Sequence, residues 1–203
     1  MVGLVLVISA LGACSKKASV EPRRPLDTTP AAGSVVVSDA SAGYALSIPT
    51  SWKQMPTDVA RFDGEADTLK AASPAPAKLT TGLTQLKSVV RNGASVAAID
   101  PDTGATANLI VLDAGGQKAT QIAVGSANQL RGNGATDITR QAVTVDGLAA
   151  VRQSFRTPFP GGTGPVSLAE NQIYVVRRSQ AFILTLTGDS SALDGIAASL
   201  KLA

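Results

Sequence analysis

Short turns between segments that are typical of strands constrain this chain most, because they predict β-hairpins. Residues 138–145 and 149–156 flank Asp146-Gly147, and an Asp-Gly pair between apolar runs is a strong signal for a tight hairpin turn. Residues 167–178 and 181–187 form a second pair of this kind. Consecutive hairpins favour a mainly antiparallel sheet.

Two further regions extend the predicted sheet. Residues 95–100 and 107–112 predict strands on either side of Asp100-Pro101-Asp102-Thr103-Gly104, whose residue types are typical of turns. Residues 44–48 alternate with a period of two and are followed by Pro49. This pattern predicts a half-buried strand that ends at the proline.

Helical periodicity is clearest in residues 78–91. This segment places four apolar residues on one face, namely Leu79, Leu83, Leu86 and Val90. The Asn92-Gly93 pair that follows is typical of a helix end.

Two other segments predict helices. Residues 118–130 place Ile122 and Leu130 inward, and Ser190 caps a final predicted helix that ends at about residue 199. The order of elements is strand, helix, hairpin, helix, two hairpins and helix. This order predicts an α+β fold, with a mainly antiparallel sheet covered by helices.

Composition argues against several classes of function. The sequence has no histidine and one cysteine, which removes the commonest general base and metal ligand and excludes an intramolecular disulfide. The net charge is +3 over 203 residues, and the one local basic cluster is Lys16, Lys17, Arg23 and Arg24. Because nucleic-acid binding needs a clustered basic face, we expect no nucleic-acid partner. We also expect no enzymatic activity, cofactor or metal.

The N-terminal segment indicates export and lipid attachment. Residues 2–11 form an apolar run that is too short to span a membrane and has the length of a signal-peptide core. Leu11-Gly12-Ala13-Cys14 follows and resembles the bacterial lipobox, in which small residues admit the peptidase and the thiol carries diacylglycerol. Cleavage then frees the Cys14 amine for further acylation, for example with palmitate.

This interpretation divides the chain into three parts. Residues 1–13 are the predicted signal peptide, residues 14–42 the lipidated cysteine and a flexible tether, and residues 43–203 a single folded domain. No Lys or Arg precedes Cys14, so we expect the true start to lie upstream, where a positive segment would precede the apolar run. We expect the protein to face the extracytoplasmic side of a membrane. Lys16 and Lys17 either assist binding to anionic lipid or are simply solvated.

Two regions of the predicted domain carry a family resemblance. The first, residues 43–52, matches a G-[YF]-x-[LI]-x-[IV]-P-x-x-W opening. The second, residues 173–202, consists of two strands and a last helix. Together they resemble the PsbP-like α/β sandwich superfamily, and within it the actinobacterial LpqN-type lipoproteins. The resemblance implies an α-β-α sandwich and non-enzymatic binding or scaffolding. It supplies no catalytic motif, and we expect Trp52 to pack in the core.

Two groups of carboxylates are candidate sites in the sequence. Asp100 and Asp102 lack the Gly and Glu positions of a calcium-binding EF-hand loop, so we interpret them as turn residues. The other group, Asp63, Glu65 and Asp67, is interpreted as part of a solvated loop.

Residues 157–167 contain Gly161, Gly162 and Gly164 but lack the Lys-Ser or Lys-Thr of a phosphate-binding loop. We therefore predict a long mobile hairpin loop, with Phe159 exposed near its tip between two prolines. Phe159 is the candidate contact for a protein partner, and the alternative is that it lines a pocket.

The leading hypothesis is thus a membrane-anchored envelope lipoprotein whose domain binds another envelope protein. The alternative is a carrier that holds a small apolar or lipid ligand between the sheet and a helix, which requires a cavity of about 300 Å³ or more.

Overall fold

The computed structural model describes residues 24–73, 76–161, 164–188 and 191–203. These residues form two antiparallel sheets and a set of helices. The strands are β1 (Ser34–Asp39), β2 (Tyr44–Pro49), β3 (Lys53–Gln54), β4 (Val96–Ile99), β5 (Thr106–Asp113), β6 (Thr136–Val145), β7 (Leu148–Gly161), β8 (Gly164–Arg177), β9 (Gln180–Thr187) and β10 (Lys201–Leu202). The helices are α1 (Val59–Ala72), α2 (Pro76–Arg91), α3 (Ala119–Gly132) and α4 (Ala192–Ala198). In this described part of the chain, no helix is long and apolar enough to cross a membrane.

The larger sheet has seven strands in the order β3-β4-β5-β9-β8-β7-β6, and the smaller sheet has three in the order β1-β2-β10. Every pair of neighbouring strands is antiparallel. The predicted hairpins and the predicted α+β class are confirmed. At the β6–β7 turn, Asp146 and Gly147 both have positive φ, 49° and 80°, as the predicted type of tight turn requires.

The molecule has three layers because both faces of the seven-stranded sheet are covered. One face packs against the three-stranded sheet and α4, for example through Leu109 and Leu184 against Leu46 and Ile196. The opposite face carries α1 and α2 over β4, and α3 over β7 and β8. The predicted face of α2 is confirmed, since its four apolar residues are all buried.

The strand β2 is buried on both faces, so the prediction of a half-buried strand was wrong. Ala45 and Ser47 are 1% and 6% exposed, although they alternate with the core-facing residues. The Ser47 backbone N–H donates to the Ser199 hydroxyl at 2.9 Å, and the Ser47 hydroxyl accepts from the Ala31 N–H at 3.3 Å. The chain before β1 and the end of α4 therefore cover the outer face of this strand.

The predicted tether extended too far into the domain. The tether was predicted to reach residue 42, but β1 begins at Ser34 and pairs with β2 along its whole length. Only Val35, Val36 and Val37 hinted at a strand there. The ordered contacts begin earlier still, because the Arg24 guanidinium lies 2.5 Å from the Asp146 carboxylate.

The region of Asp63, Glu65 and Asp67 is helical, so the prediction of a solvated loop was wrong. It forms α1, which begins after Asp58, whose side chain accepts a hydrogen bond from the Arg61 N–H at 3.0 Å. Its buried residues are Phe62 and Ala66. Two buried positions among charged residues and small alanines produce little periodicity, and α2 supplies the apolar surface that stabilises the helix.

Candidate functional site: a buried polar belt

A belt of polar side chains crosses the helix-facing side of the seven-stranded sheet. Its members are buried residues of β5, β7, β8 and β9: Thr106, Asn108, Gln153, Glu170, Gln172, Thr185 and Thr187. Side chains on one sheet face recur every second residue, and the strand register places these residues side by side. One row runs Thr106, Thr187, Glu170, and the next runs Asn108, Thr185, Gln172, Gln153.

The polar belt separates the apolar contacts of α2 from those of α3. Ala97 and Ile99 pack with α1 and α2, whereas Val151 and Ile183 pack with α3. Each helix contributes one polar side chain to the belt, Gln85 from α2 and Ser126 from α3. The belt therefore lies where two helices cover the same sheet face with different apolar surfaces.

Glu170 lies in the first of these two rows, beside Thr187, and is 7% exposed. Its carboxylate accepts a hydrogen bond from the Gln85 side-chain amide at 3.0 Å and a longer one from the Thr187 hydroxyl at 3.5 Å. Burial raises the pKa of this carboxyl above its usual range, and hydrogen bonds from neighbouring side chains offset only part of that effect. Burial therefore shifts this carboxyl toward its neutral form, whereas the hydrogen bonds that it accepts favour the ionised one.

Tyr174 lies two residues along β8 from Gln172 and makes hydrogen bonds with the second row. Its hydroxyl donates to the Ser126 hydroxyl at 2.6 Å, accepts from the Gln153 amide at 3.3 Å, and forms a short contact with the Gln172 side-chain oxygen. The Gln172 amide in turn donates to the Thr185 hydroxyl at 3.3 Å. Burial raises the pKa of Tyr174, so the phenol is neutral and serves as a structural hydrogen-bonding group.

Several buried polar atoms in and beside the belt have no hydrogen-bond partner within the described residues. They are Gln85 Oε1, Thr106 Oγ1, Asn108 Oδ1 and Nδ2, and Gln153 Oε1. Leaving such an atom unsatisfied costs about 1–3 kcal/mol. Because buried polar groups in proteins are nearly always satisfied, this cluster marks the belt as a place that a ligand or ordered water would stabilise.

A cavity of about 80 Å³ lies beside Thr187, in the row that contains Glu170. Its walls come from α2, the β4–β5 turn and the end of β9, and include Gln85, Thr187, Gly82, Gly104 and Gly188. A wider groove of about 350 Å³ lies on the outside of the molecule between α1 and α2. Phe62 and Leu83 are among its apolar residues, and charged residues line it as well.

The acidic residues of α1 are used in ion pairs along its surface. In the groove, Asp63 pairs with Lys87 at 2.7 Å and Asp67 with Lys70 at 3.0 Å. Glu65 pairs with Lys53 at 3.0 Å. These partly exposed pairs neutralise the carboxylates, and surface pairs of this kind contribute little to stability.

The other predicted turn and core residues lie where the sequence indicated. The Asp100 carboxylate accepts from the Asp102 N–H at 3.0 Å and from the Thr103 hydroxyl at 2.8 Å, so it shapes the β4–β5 turn. Trp52 is 6% exposed and belongs to the core between the two sheets. Among the described residues, no group of three or more His, Cys, Asp or Glu side chains is placed to hold a metal.

Phe159 does not lie at the tip of a loop, and the predicted loop over residues 157–167 was wrong. These residues mostly continue β7 and β8, which stay paired as far as Gly161 opposite Gly164. Phe159 sits opposite Val166 and is half-buried. Pro158 and Pro160 are tolerated there because this part of β7 has no neighbour on its outer edge within the described sheet. The predicted lipidation site, Cys14, and its neighbours Lys16, Lys17 and Arg23 lie outside the described residues, as does the predicted capping residue Ser190.

The polar belt was not predicted from the sequence. Glu170, Gln172, Thr185 and Thr187 recur every second residue in β8 and β9, a signal that normally indicates a solvent-facing side of a sheet. The signal that could have revealed the belt is that both strands of one predicted hairpin, residues 167–178 and 181–187, carry polar residues at every second position.

Comparison with known proteins supports the fold. No family model matches the chain, and no curated protein matches it significantly. The solution structure of cyanobacterial PsbP (CyanoP) from Synechocystis sp. PCC 6803 is similar over 96% of this chain and 100% of that chain, with 15% identity and a TM-score of 0.52. The chain therefore has a PsbP-like α+β fold.

The crystal structure of LpqN, described as involved in cell envelope biogenesis of Mycobacterium tuberculosis, is similar over 84% of this chain and 91% of that chain. The identity is 12% and the TM-score is 0.43. A similarity at this level supports no conclusion about shared function.

Proposed function

We propose that this protein is held by lipid on Cys14 at the extracytoplasmic side of a membrane, and that its domain binds another envelope protein without catalysing a reaction. The observation that supports this best is an arrangement along β7. The chain from the anchor reaches the domain at one end of this strand, and at the other end two strands continue that pair only with each other within the described sheet.

The anchor end is defined by Asp146, in the turn that precedes β7. Its carboxylate, 9% exposed, contacts the Arg24 guanidinium at 2.5 Å and lies 3.6 Å from the Lys201 ammonium. About ten residues separate Cys14 from Arg24, and a chain of that length spans at most roughly 35 Å. A lipid on Cys14 would therefore keep this end of the sheet near the membrane.

The far end of β7 forms a two-stranded arm with β8, which we define as residues 157–161 and 164–168. Pairing with β6 ends at Arg156 and pairing with β9 ends at Glu170, so within the described sheet the arm strands pair only with each other. A strand of fourteen residues spans roughly 45 Å at about 3.3 Å per residue. The arm, with Phe159 on it, would thus be held away from the membrane.

The polar groups favour a binding domain over an enzyme. The polar belt is closed beneath α2 and α3, and the carboxylates Asp63 and Asp67 in the open groove are ion-paired. A hydrolytic site needs reactive groups that converge where a substrate can enter. The absence of histidine from the sequence points in the same direction.

The alternative, a carrier of an apolar ligand between sheet and helix, receives no support. The groove of about 350 Å³ lies between two helices and is lined by charged residues. The cavity beside the sheet measures about 80 Å³, well below the size that such a ligand needs.

The anchor is tested by mass spectrometry of the mature N-terminus and by Cys14→Ser. We expect the wild-type protein to begin at Cys14 with a lipid mass and to stay in the membrane fraction, and the variant to lose both properties. An unmodified Cys14 in membrane-bound protein would contradict the proposal.

The arm is tested in the lipidated protein by a photo-crosslinking residue placed at Ser167, which is exposed on the arm. A matched probe replaces Val124, 45% exposed on α3. We expect one discrete adduct with an envelope protein from position 167, weakened by Phe159→Ala, and none from position 124. Equal adducts at both positions, or an adduct that Phe159→Ala leaves unchanged, would argue against docking through the arm.

A further inference from the structure

We propose that the outer edge of β1 binds the same edge of a second copy of this chain, so that two three-stranded sheets join into one antiparallel sheet. The inference concerns a different surface from the arm. It depends neither on docking there nor on lipid at Cys14.

The edge is open within the described part of the chain. There, β1 is the last strand of its sheet and pairs only with β2. The segment before β1 crosses toward β10 instead of covering the edge, since the Ala31 N–H donates to the hydroxyl of Ser47 on β2. Farther back, Arg24 contacts the carboxylate of Asp146, which also accepts the N–H of Leu202 on β10.

The backbone groups of alternate residues point out of this edge. The Thr50 N–H donates to the Gly33 carbonyl at 2.9 Å, and this bond sets the alternation along β1. Val35 and Val37 therefore direct their N–H and C=O groups toward β2, whereas Val36 directs both of its groups away from β2. A strand of a second copy supplies the acceptor and the donor that Val36 needs.

The sequence of the edge is self-complementary. Residues 34–38 read Ser-Val-Val-Val-Ser, the same in both directions. When two copies pair antiparallel about a two-fold axis at Val36, each Ser34 lies opposite Ser38 of the second copy, and each Val35 lies opposite Val37. No other antiparallel register of two copies places valine opposite valine at all three positions. The edge thus meets the condition for a symmetric dimer, in which one patch fits itself.

The edge of β1 also lacks the features that protect other edges. It has no proline, no register shift and no charge before Asp39, and Val35 is 42% exposed. In β6, the outer strand of the larger sheet, the register shifts between Thr136 and Thr139, and Arg140 is exposed. Because such shifts and charges oppose edge-to-edge pairing, the observations favour β1 over β6.

The contact supplies few hydrogen bonds. Two bonds join the backbones of the two Val36 residues, and each Ser38 N–H can donate to the Ser34 carbonyl of the second copy. The Ser34 N–H already donates to the Ala31 carbonyl at 3.0 Å. A stable complex uses about 20–30 residues a side, so we expect association at high protein concentration instead of a permanent dimer.

The experiment uses the purified full chain with Cys14→Ser, in which each added cysteine is the sole thiol. In a hydrogen-bonded antiparallel pair the facing Cα atoms lie about 5.5 Å apart, within the range of a disulfide. Under mild oxidation, Val36→Cys should form a disulfide dimer at least about tenfold faster than Ser38→Cys, whose two thiols lie roughly 13 Å apart along the strands. A mixture of Ser34→Cys and Ser38→Cys should crosslink faster than either variant alone.

Val124→Cys, at a position 45% exposed on α3, is the control for random collision. Sedimentation equilibrium of the Cys14→Ser protein is a second measurement. We expect its average mass to rise above that of the monomer with concentration, and Val35→Lys to abolish the rise by placing a charge on the edge. Since Val35 is exposed, that variant should keep the Tm of its parent.

The proposal is wrong if Val36→Cys dimerises no faster than Val124→Cys, which is also the result expected if residues 14–23 of the same chain cover the edge. Faster dimerisation of Ser38→Cys than of Val36→Cys would contradict the register. A monomer at every concentration would overturn the association itself.

Discussion

The side-chain amide of Gln85 donates a hydrogen bond of 3.0 Å to the carboxylate of Glu170, and this contact joins α2 to the middle of the seven-stranded sheet. Gln85 reaches Thr187 at the same distance. One helix residue thus ties together two strands that are neighbours in the sheet. The contact is polar in a region where helix and sheet usually meet through apolar side chains.

Glu170 should make the stability of the protein depend on pH. Burial raises the pKa of its carboxyl above the ordinary value of 4.5, so the unfolded chain releases this proton at a lower pH than the folded protein. The contribution of Glu170 to the free energy of unfolding is therefore fully present below pH 4.5 and is lost as the pH rises through the folded-state pKa.

We expect Glu170→Gln to remove this loss, so that the variant gains stability relative to wild type as the pH rises. Denaturant unfolding at a series of pH values measures the difference. A constant difference between the two proteins across the series would show that Glu170 titrates normally.

Gly82 is required by close packing of α2 on the β4–β5 turn. A Cβ there would lie 2.4 Å from the Gly104 carbonyl oxygen and 3.1 Å from Ile99 Cδ1, so Gly82→Ala should destabilise the protein by about 1–3 kcal/mol through overpacking. Gly64, in α1, is the matched control because a Cβ there meets nothing within 4 Å. Gly64→Ala should stabilise by about 0.5–1 kcal/mol. Urea unfolding of both variants should give opposite signs.

Asp146 should hold the segment before β1 against the domain. Its carboxylate contacts Arg24 and also accepts the Leu202 N–H at 3.2 Å, and an Asn side chain keeps the shape while losing the charge. Asn also tolerates positive φ, which is 49° at this residue. We expect Asp146→Asn to speed hydrogen exchange in residues 24–33, measured by mass spectrometry of peptides.

The control is Asp194→Asn, which breaks the exposed pair with Arg152 far from that segment in the chain. If both variants leave exchange in residues 24–33 unchanged, the contact at Asp146 does not order the segment.

The hydroxyl of Tyr174 should contribute more to the free energy of unfolding than the hydroxyl of Tyr44. The Tyr174 hydroxyl contacts Ser126, Gln153 and Gln172 inside the belt, whereas the Tyr44 hydroxyl donates one bond, of 3.3 Å, to the Ser95 carbonyl. Tyr174→Phe leaves buried partners unsatisfied and should cost about 1–3 kcal/mol, and Tyr44→Phe about 0.5–1.5 kcal/mol. Thermal and denaturant unfolding compare the two, and equal losses would mean that the Tyr174 contacts add nothing.

The fold was predictable where local signals agree with tertiary contacts. The turn at Asp146-Gly147 and the apolar face of α2 each appear in a few consecutive residues, and both were predicted correctly. The helix α1 was missed because its stability depends on α2, which supplies the apolar partner for Phe62 and Ala66. The long pairing of β7 with β8 was missed because the prolines around Phe159 are typical of loops.

The sequence by itself determined the hairpins, their turns and the α+β class, and it predicted lipid attachment at Cys14 with a partner contact at Phe159. Those features depend on residue types within short stretches of chain. Only the tertiary structure revealed the polar belt, because Thr106, Glu170 and Thr187 meet through the register of three strands. Their alternation resembles that of a solvent-facing side, and it is the packing of α2 and α3 on that side that buries them.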